Sequence, residues 1–153
     1  MSALHVLIVE DSLIYRRLLS RMLIQWGYTV SEAENGVAAL EILSSQPVSM
    51  VISDWEMPEM DGLALCKAIR SREWGHYVYV ILLTARENSG DLARGFDAGA
   101  DEFLNKPVEQ DELRARLHAG GRILTLEATL AAHNKRLSEA LRQIEKDLEL
   151  AAR

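Results

Sequence analysis

The sequence predicts a doubly wound α/β domain, a parallel sheet covered by helices on both faces. Two patterns in residues 1–108 point there: short apolar runs recur, and a stretch of helical periodicity follows each of them. The connections between the two kinds of segment are short, as right-handed βαβ crossovers require. A third observation is negative: no long repeat and no low-complexity segment interrupts the alternation.

The elements follow in order. Leu4 to Val9, Ser49 to Ser53 and Tyr77 to Leu83 are nearly continuous apolar runs rich in β-branched residues. Such runs suit strands buried on both faces. Tyr28 to Ala33 alternates more, which suits a strand nearer an edge, and Asp101 to Leu104 is a short fifth strand. Between them, Ser12 to Trp26 places Leu18, Leu19, Met22, Leu23 and Trp26 on one helical face. Ser12 is its expected N-cap and Gly27 its stop. Asn35-Gly36 opens a second helix with Val37, Leu40 and Leu43 inward, and Pro47 ends that connection. Gly62 precedes a third helix, Leu63 to Arg70. Asn88 or Ser89 starts a fourth, Leu92 to Ala98, with Gly99 behind it.

The last stretch differs. From about Glu109 to Arg153 there is no proline, and the only glycines are Gly120 and Gly121. Ile123, Leu130, Leu137, Ile144 and Ala151 recur every seven residues, which predicts a coiled-coil seam and a dimer. The other seam position has two candidates: Leu126, His133, Ala140 and Asp147, or Glu127, Asn134, Leu141 and Leu148. The second set is favoured, because Leu141 and Leu148 pack better and one seam Asn fixes register. An amphipathic helix folded onto another domain is the competing reading. The expected division is a globular domain at 1–121 and a helical extension or linker at 122–153.

The totals set bounds. The chain has 153 residues, about one domain, and a net charge of −6. The extension carries slightly more Lys/Arg than Asp/Glu, so the acidic excess sits on the globular part. An acidic body argues against direct nucleic-acid binding. No apolar run is long enough to span a bilayer, and the N-terminus lacks a signal-peptide pattern. With Cys66 as the single cysteine, the expected location is a reducing cytoplasm. Cys66 itself lies in an apolar helical pattern and is expected to be a small core filler. His5, His76, His118 and His133 show no ligand-like spacing.

Ligands of such sheets gather outside the carboxyl ends of the strands. Glu10 and Asp11 follow the first strand, Asp54 the third, Thr84 the fourth, and Lys106-Pro107 the fifth. Each alone has an ordinary explanation as a cap, turn or helix-start acid. Together they describe one chemistry. Three crowded carboxylates repel, and a divalent cation relieves them. Oxygen ligands with room for water suit Mg²⁺. A central carboxylate, Asp54, can attack phosphorus and form an acyl phosphate. The Lys106 ammonium and Thr84 hydroxyl would then stabilise charge on the transferred group.

These residues resemble the receiver domain of two-component response regulators over roughly residues 3–120. The resemblance rests on Ile8-Val9-Glu10-Asp11-Ser12, on Val51 to Gly62 around Asp54, on Leu82-Leu83-Thr84-Ala85, and on Gly99 to Pro107. It implies a flavodoxin-like five-stranded sheet of order 2-1-3-4-5, with residues 1–121 as the receiver. It further implies Glu10, Asp11, Asp54 and the backbone carbonyl of Glu56 as Mg²⁺ ligands, with Asp54 the phosphoacceptor. Thr84 and Lys106 would contact the phosphoryl group, and the Lys106–Pro107 peptide would be cis. Thr84 and Phe103 would form the switch: Thr84 moves inward, Phe103 fills the space, and the face of the fourth helix, fifth strand and fifth helix changes shape. Phe lacks the hydroxyl of the tyrosine often found there. Ala85 should leave the phosphoryl group open, and Glu56 and Arg86 flank the entrance. Trp55, beside the nucleophile, is expected to report metal binding.

Rival readings are weaker. A flavodoxin-type electron carrier needs a phosphate-cradling loop where Glu10-Asp11 stands. A haloacid-dehalogenase-type phosphatase needs Asp two residues beyond its nucleophile, and Glu56 stands there. No glycine-rich nucleotide loop is present. The expected partners are a sensor histidine kinase or phosphotransfer protein, a second copy of the chain, and an effector domain. Asp147 to Arg153 resembles linkers that precede metal-dependent serine phosphatase domains in some response regulators; similar linkers precede diguanylate cyclase domains. The receiver would catalyse its own phosphorylation and dephosphorylation, and no separate enzymatic output is visible in these residues. The alternative is a stand-alone adaptor that binds partners through its helix.

Overall fold

The computed structural model describes residues 4–85 and 89–153. Five strands alternate with five helices: β1 (His5–Val9), α1 (Leu13–Gln25), β2 (Thr29–Ala33), α2 (Gly36–Ser45), β3 (Met50–Asp54), α3 (Gly62–Arg70), β4 (Tyr79–Thr84), α4 (Ser89–Asp97), β5 (Glu102–Asn105) and α5 (Gln110–Ala151). The strands are parallel and ordered β2-β1-β3-β4-β5. This is the flavodoxin-like order, with the chain reversing direction across the sheet between β1 and β3.

The apolar runs are continuous because alternate side chains enter two different cores. Leu7, Val9, Val51, Val80 and Leu82 face one, with Ala39, Leu43, Leu65, Cys66 and Ile69 of α2 and α3. Val6, Ile8, Met50, Ile52, Ile81 and Leu83 face the other, with Leu19, Leu23, Leu113 and Leu117 of α1 and α5. Cys66 is fully buried, and burial pushes its thiol up to about 11, so it behaves as a core filler.

The caps follow the sequence. Asn35 accepts a hydrogen bond from the Ala38 N–H at 2.8 Å, Asp61 from Ala64 at 2.8 Å, and Ser12 a longer one from Tyr15 at 3.4 Å. Two helical faces turn differently from expectation. Leu18 is 52% exposed and Val37 46% exposed. In α1 the buried stripe runs through Leu19, Met22 and Leu23, with Ser20 also inside, so Leu18 falls beyond its edge. In α2 the small residues Gly36 and Ala39 face inward with Leu43, which lets the helix lie close and turns Val37 out. β4 begins at Tyr79, two residues later than the apolar run, because Tyr77 and Val78 precede the ladder and bind Arg70 instead. The other strands differ by a residue at their ends. Asn88, one candidate start of α4, lies outside the described residues.

α5 passes through Gly120 and Gly121 without a break. Gly120 explains its closeness to the sheet. A Cβ there would lie 2.7 Å from Met50 Cε and 2.9 Å from the Tyr79 ring. The helix buries Leu113, Leu117 and Gly120 and then leaves the body; residues 125–153 are exposed throughout. No helix among the described residues is long and apolar enough to cross a membrane.

Candidate functional site

The topology brings the ends of β1, β3, β4 and β5 together. Glu10 and Asp11 stand just past β1, and Asp54 closes β3. One carboxylate oxygen from each lies within 4.8 Å of the others. Glu10 is 2% exposed and Asp54 7%, while Asp11 reaches solvent. Lys106, just past β5, places its ammonium 3.1 Å from Asp54 Oδ2 and 3.1 Å from Glu10 Oε2. Its backbone N–H donates to the Thr84 carbonyl at 3.0 Å. Thr84 closes β4, is 1% exposed, and stands one residue past Leu83, the register partner of Asp54. The Lys106–Pro107 peptide is cis.

The electrostatics are uneven. Burial pushes the Glu10 carboxyl above its ordinary value; the Ser12 N–H works against this, the nearby Asp54 adds to it, and Lys106 offsets part. For Lys106, burial disfavours the charge, yet its bonds to Asp54 and Glu10 outweigh that and raise its pKa. The ammonium therefore stays charged. An all-oxygen set with two buried members and one open to water fits a hard divalent cation such as Mg²⁺.

The switch candidates sit beside this cluster. Phe103 on β5 is half-buried. Its ring meets Phe96 of α4 edge-on at 4.6 Å and stacks on Trp55 at 6.0 Å. Gly95 makes room for it, since a Cβ there would lie 2.2 Å from Phe103 Cζ. Trp55 is 2% exposed and packs in the core directly after Asp54. Glu56 is exposed in the following loop, where Glu59 adopts a left-handed φ of 69°. Such a conformation is unusual for a residue with a side chain. Arg86 lies outside the described residues. The histidines stay away from the cluster: His5 bonds Ser31 and His76 bonds the Val48 carbonyl, while His118 and His133 are exposed.

Sequence reasoning missed two supports. Arg16 donates to the Glu10 carbonyl at 2.7 Å and to Glu32 at 3.0 Å, fixing the backbone that carries the acidic pair. Tyr15 places its ring 4.8 Å beneath the Lys106 ammonium, and its hydroxyl accepts the Val108 N–H at 3.2 Å. Neither follows from a local pattern, because each contact spans from α1 to another strand end.

An acidic cluster at the carboxyl edge of a 2-1-3-4-5 sheet, with a lysine reaching into it, points to a class of signalling domain. Residues 6–118 match the response regulator receiver domain family, and the chain belongs to it. Among its relatives is the response regulator MprA of Mycobacterium ulcerans, 39% identical over 130 residues, covering 85% of this chain and 55% of that protein. The chain spans about half the length of the curated relatives it matches. Among solved structures, the Vibrio cholerae chemotaxis protein CheY4 superposes with a TM-score of 0.73 at 30% identity, over 76% of this chain and 98% of that one. A two-component response regulator/GGDEF domain protein gives 0.74 at 32%, over 80% of this chain and 50% of that one.

Proposed function

We propose that this receiver takes a phosphoryl group from a histidine kinase, or a phosphotransfer protein, onto Asp54 in a Mg²⁺-dependent reaction. The observation that carries this is the Lys106 ammonium 3.1 Å from the Asp54 carboxylate, inside a cluster of three carboxylates. Glu10, Asp11, Asp54 and the Glu56 backbone carbonyl would hold the cation, which supplies charge neutralisation for the incoming phosphoryl group. Asp54 is the nucleophile. Lys106 and Thr84 lie on the adjoining strand ends, where they would bind the phosphoryl oxygens. Thr84 and Phe103 form the switch. Drawing the Thr84 hydroxyl toward the phosphoryl group opens space for Phe103, now held between Trp55 and Phe96, and remodels the face of α4, β5 and α5. The phosphoryl group must favour that arrangement by a few kcal/mol to move most of the population.

In this reading residues 1–121 are the receiver and 122–153 a cytoplasmic coiled-coil extension. Its seam, Ile123, Leu130, Leu137 and Ile144, is 40–62% exposed in the single chain, which supports burial against a second copy. The helix then passes the signal to an output domain. Similarity to a receiver joined to a GGDEF domain accords with this, while CheY4, matched over 98% of its own chain, accords with the alternative of a stand-alone adaptor.

Intact-protein mass spectrometry with acetyl phosphate and Mg²⁺ tests the reading. One phosphoryl group per chain is expected, and none on Asp54→Ala. Undiminished single-site labelling of that variant places the nucleophile elsewhere.

A further inference from the structure

Lys106 carries a long, flexible side chain, and its ammonium has three N–H donors. Two face Asp54 Oδ2 and Glu10 Oε2, each 3.1 Å away. A third side faces the ring of Tyr15, whose centroid lies 4.8 Å from Nζ. That is within cation–π range. The same residue touches the lysine's own segment a second time, where its hydroxyl accepts the Val108 N–H at 3.2 Å. Tyr15 is tied to the acidic loop as well. Its N–H donates to the Ser12 hydroxyl, and the Ser12 N–H donates to Glu10 Oε1 at 3.2 Å. One residue thus bridges the two segments, its backbone bonded to the loop that carries Glu10 and Asp11 and its side chain set against the strand end that carries Lys106.

We infer that Tyr15 is a positioning residue for Lys106, its ring and hydroxyl together holding the ammonium on the line between Asp54 and Glu10. The inference rests on the proposed role of Lys106 in phosphoryl transfer to Asp54. A free lysine must surrender rotamer entropy to reach a fixed point. With the ring beneath it, that ordering precedes the arrival of the phosphodonor, and the charge meets the developing negative oxygens without reorganisation. The packing role of Tyr15 does not by itself require this geometry, since an aliphatic side chain would cover the same core.

The test is labelling by acetyl phosphate at saturating Mg²⁺ in the full chain. Tyr15→Leu and Tyr15→Met keep an apolar side chain but remove the ring. Each is expected to lower the saturated rate about three- to tenfold, the range of a partly desolvated cation–π contact. Tyr15→Phe keeps the ring and should recover most of that loss. In a Lys106→Met background, Tyr15→Leu should add nothing. NMR gives a second readout: the Lys106 ε-methylene protons should be shifted upfield by the ring, a shift retained in Tyr15→Phe and lost in Tyr15→Leu and Tyr15→Met. Equal losses in both backgrounds, or Lys106 shifts indifferent to the ring, would overturn the inference. Wild-type labelling of Lys106→Met is a different failure, because it removes the role of Lys106 itself.

Discussion

At the amino ends of β4 and β5, Arg70 donates to the Gly99 carbonyl, the Val78 carbonyl and Asp101, and it stacks over the Tyr77 ring. Asp101 accepts from Arg70, the Tyr77 hydroxyl and the Val80 N–H. At the carboxyl ends of the same strands, Lys106 faces Glu10 and Asp54 with Asp11 alongside. The first arrangement pairs one cation with one carboxylate and fills the remaining positions with neutral groups. The second gathers more negative charge than its lysine balances. Burial and the bond to Asp101 even push the Tyr77 hydroxyl well above its ordinary range, so it remains a donor. A satisfied network stabilises a fold, while an unbalanced one is poised to receive a ligand. One sheet uses its two ends for the two purposes.

The largest expected effect breaks the carboxyl end alone. Replacing Glu10 and Asp11 together with Ala should abolish the response of Trp55 emission to Mg²⁺, measured with Trp26 and Trp74 changed to Phe. A preserved titration would mean that the cation sits elsewhere. Breaking the amino end should do the reverse. Arg70→Ala strands a half-buried carboxylate, and denaturant unfolding should show a loss of about 2–3 kcal/mol, somewhat below the figure for fully buried pairs because water reaches this one. Folded Arg70→Ala should still accept its phosphoryl group. If it labels no better than Asp54→Ala, the two ends are coupled and the contrast fails.

The two ends were not equally legible in the sequence. Glu10-Asp11, Asp54 and Thr84 follow apolar runs directly and Lys106 follows its run after one residue, so strand position alone brings them to one edge. Arg70, Tyr77 and Asp101 sit at a helix end and in two loops. Their meeting depends on how α3 and the α4–β5 connection pack, which no local period encodes. Tyr15 and Arg16 were hidden for the same reason. Periodicity also gave the inward face of α1 to within one position, which was enough to name Leu19 and Leu23 correctly and to misplace Leu18. At Val37 the error came from ranking by side-chain size, where close approach selected Gly36 and Ala39. The heptad stripe of α5 was plain in sequence, as was the glycine pair, but not that Gly120 permits close contact with Met50 and Tyr79.

The amino end also hosts the departure of α5. A groove of about 1120 Å³ opens there, between Trp74 and Tyr77 on the body and Leu124, Ala128 and Ala131 on the helix. The helix therefore leaves the body at this end, after burying Leu113, Leu117 and Gly120. Past Ala132, the last helix residue lining that groove, every residue is exposed, so substitutions there should barely affect the body. Leu137→Glu sharpens this separation. Its effect on the unfolding free energy of the receiver should fall within about 0.5 kcal/mol, the range for exposed sites. In light scattering the same change should shift a dimer to the mass of a single chain, because it buries a charge in the proposed seam. An unchanged mass would remove the seam from the assembly. A large loss of receiver stability would show instead that the outer helix packs back onto the body, and that the groove at its base is filled in solution.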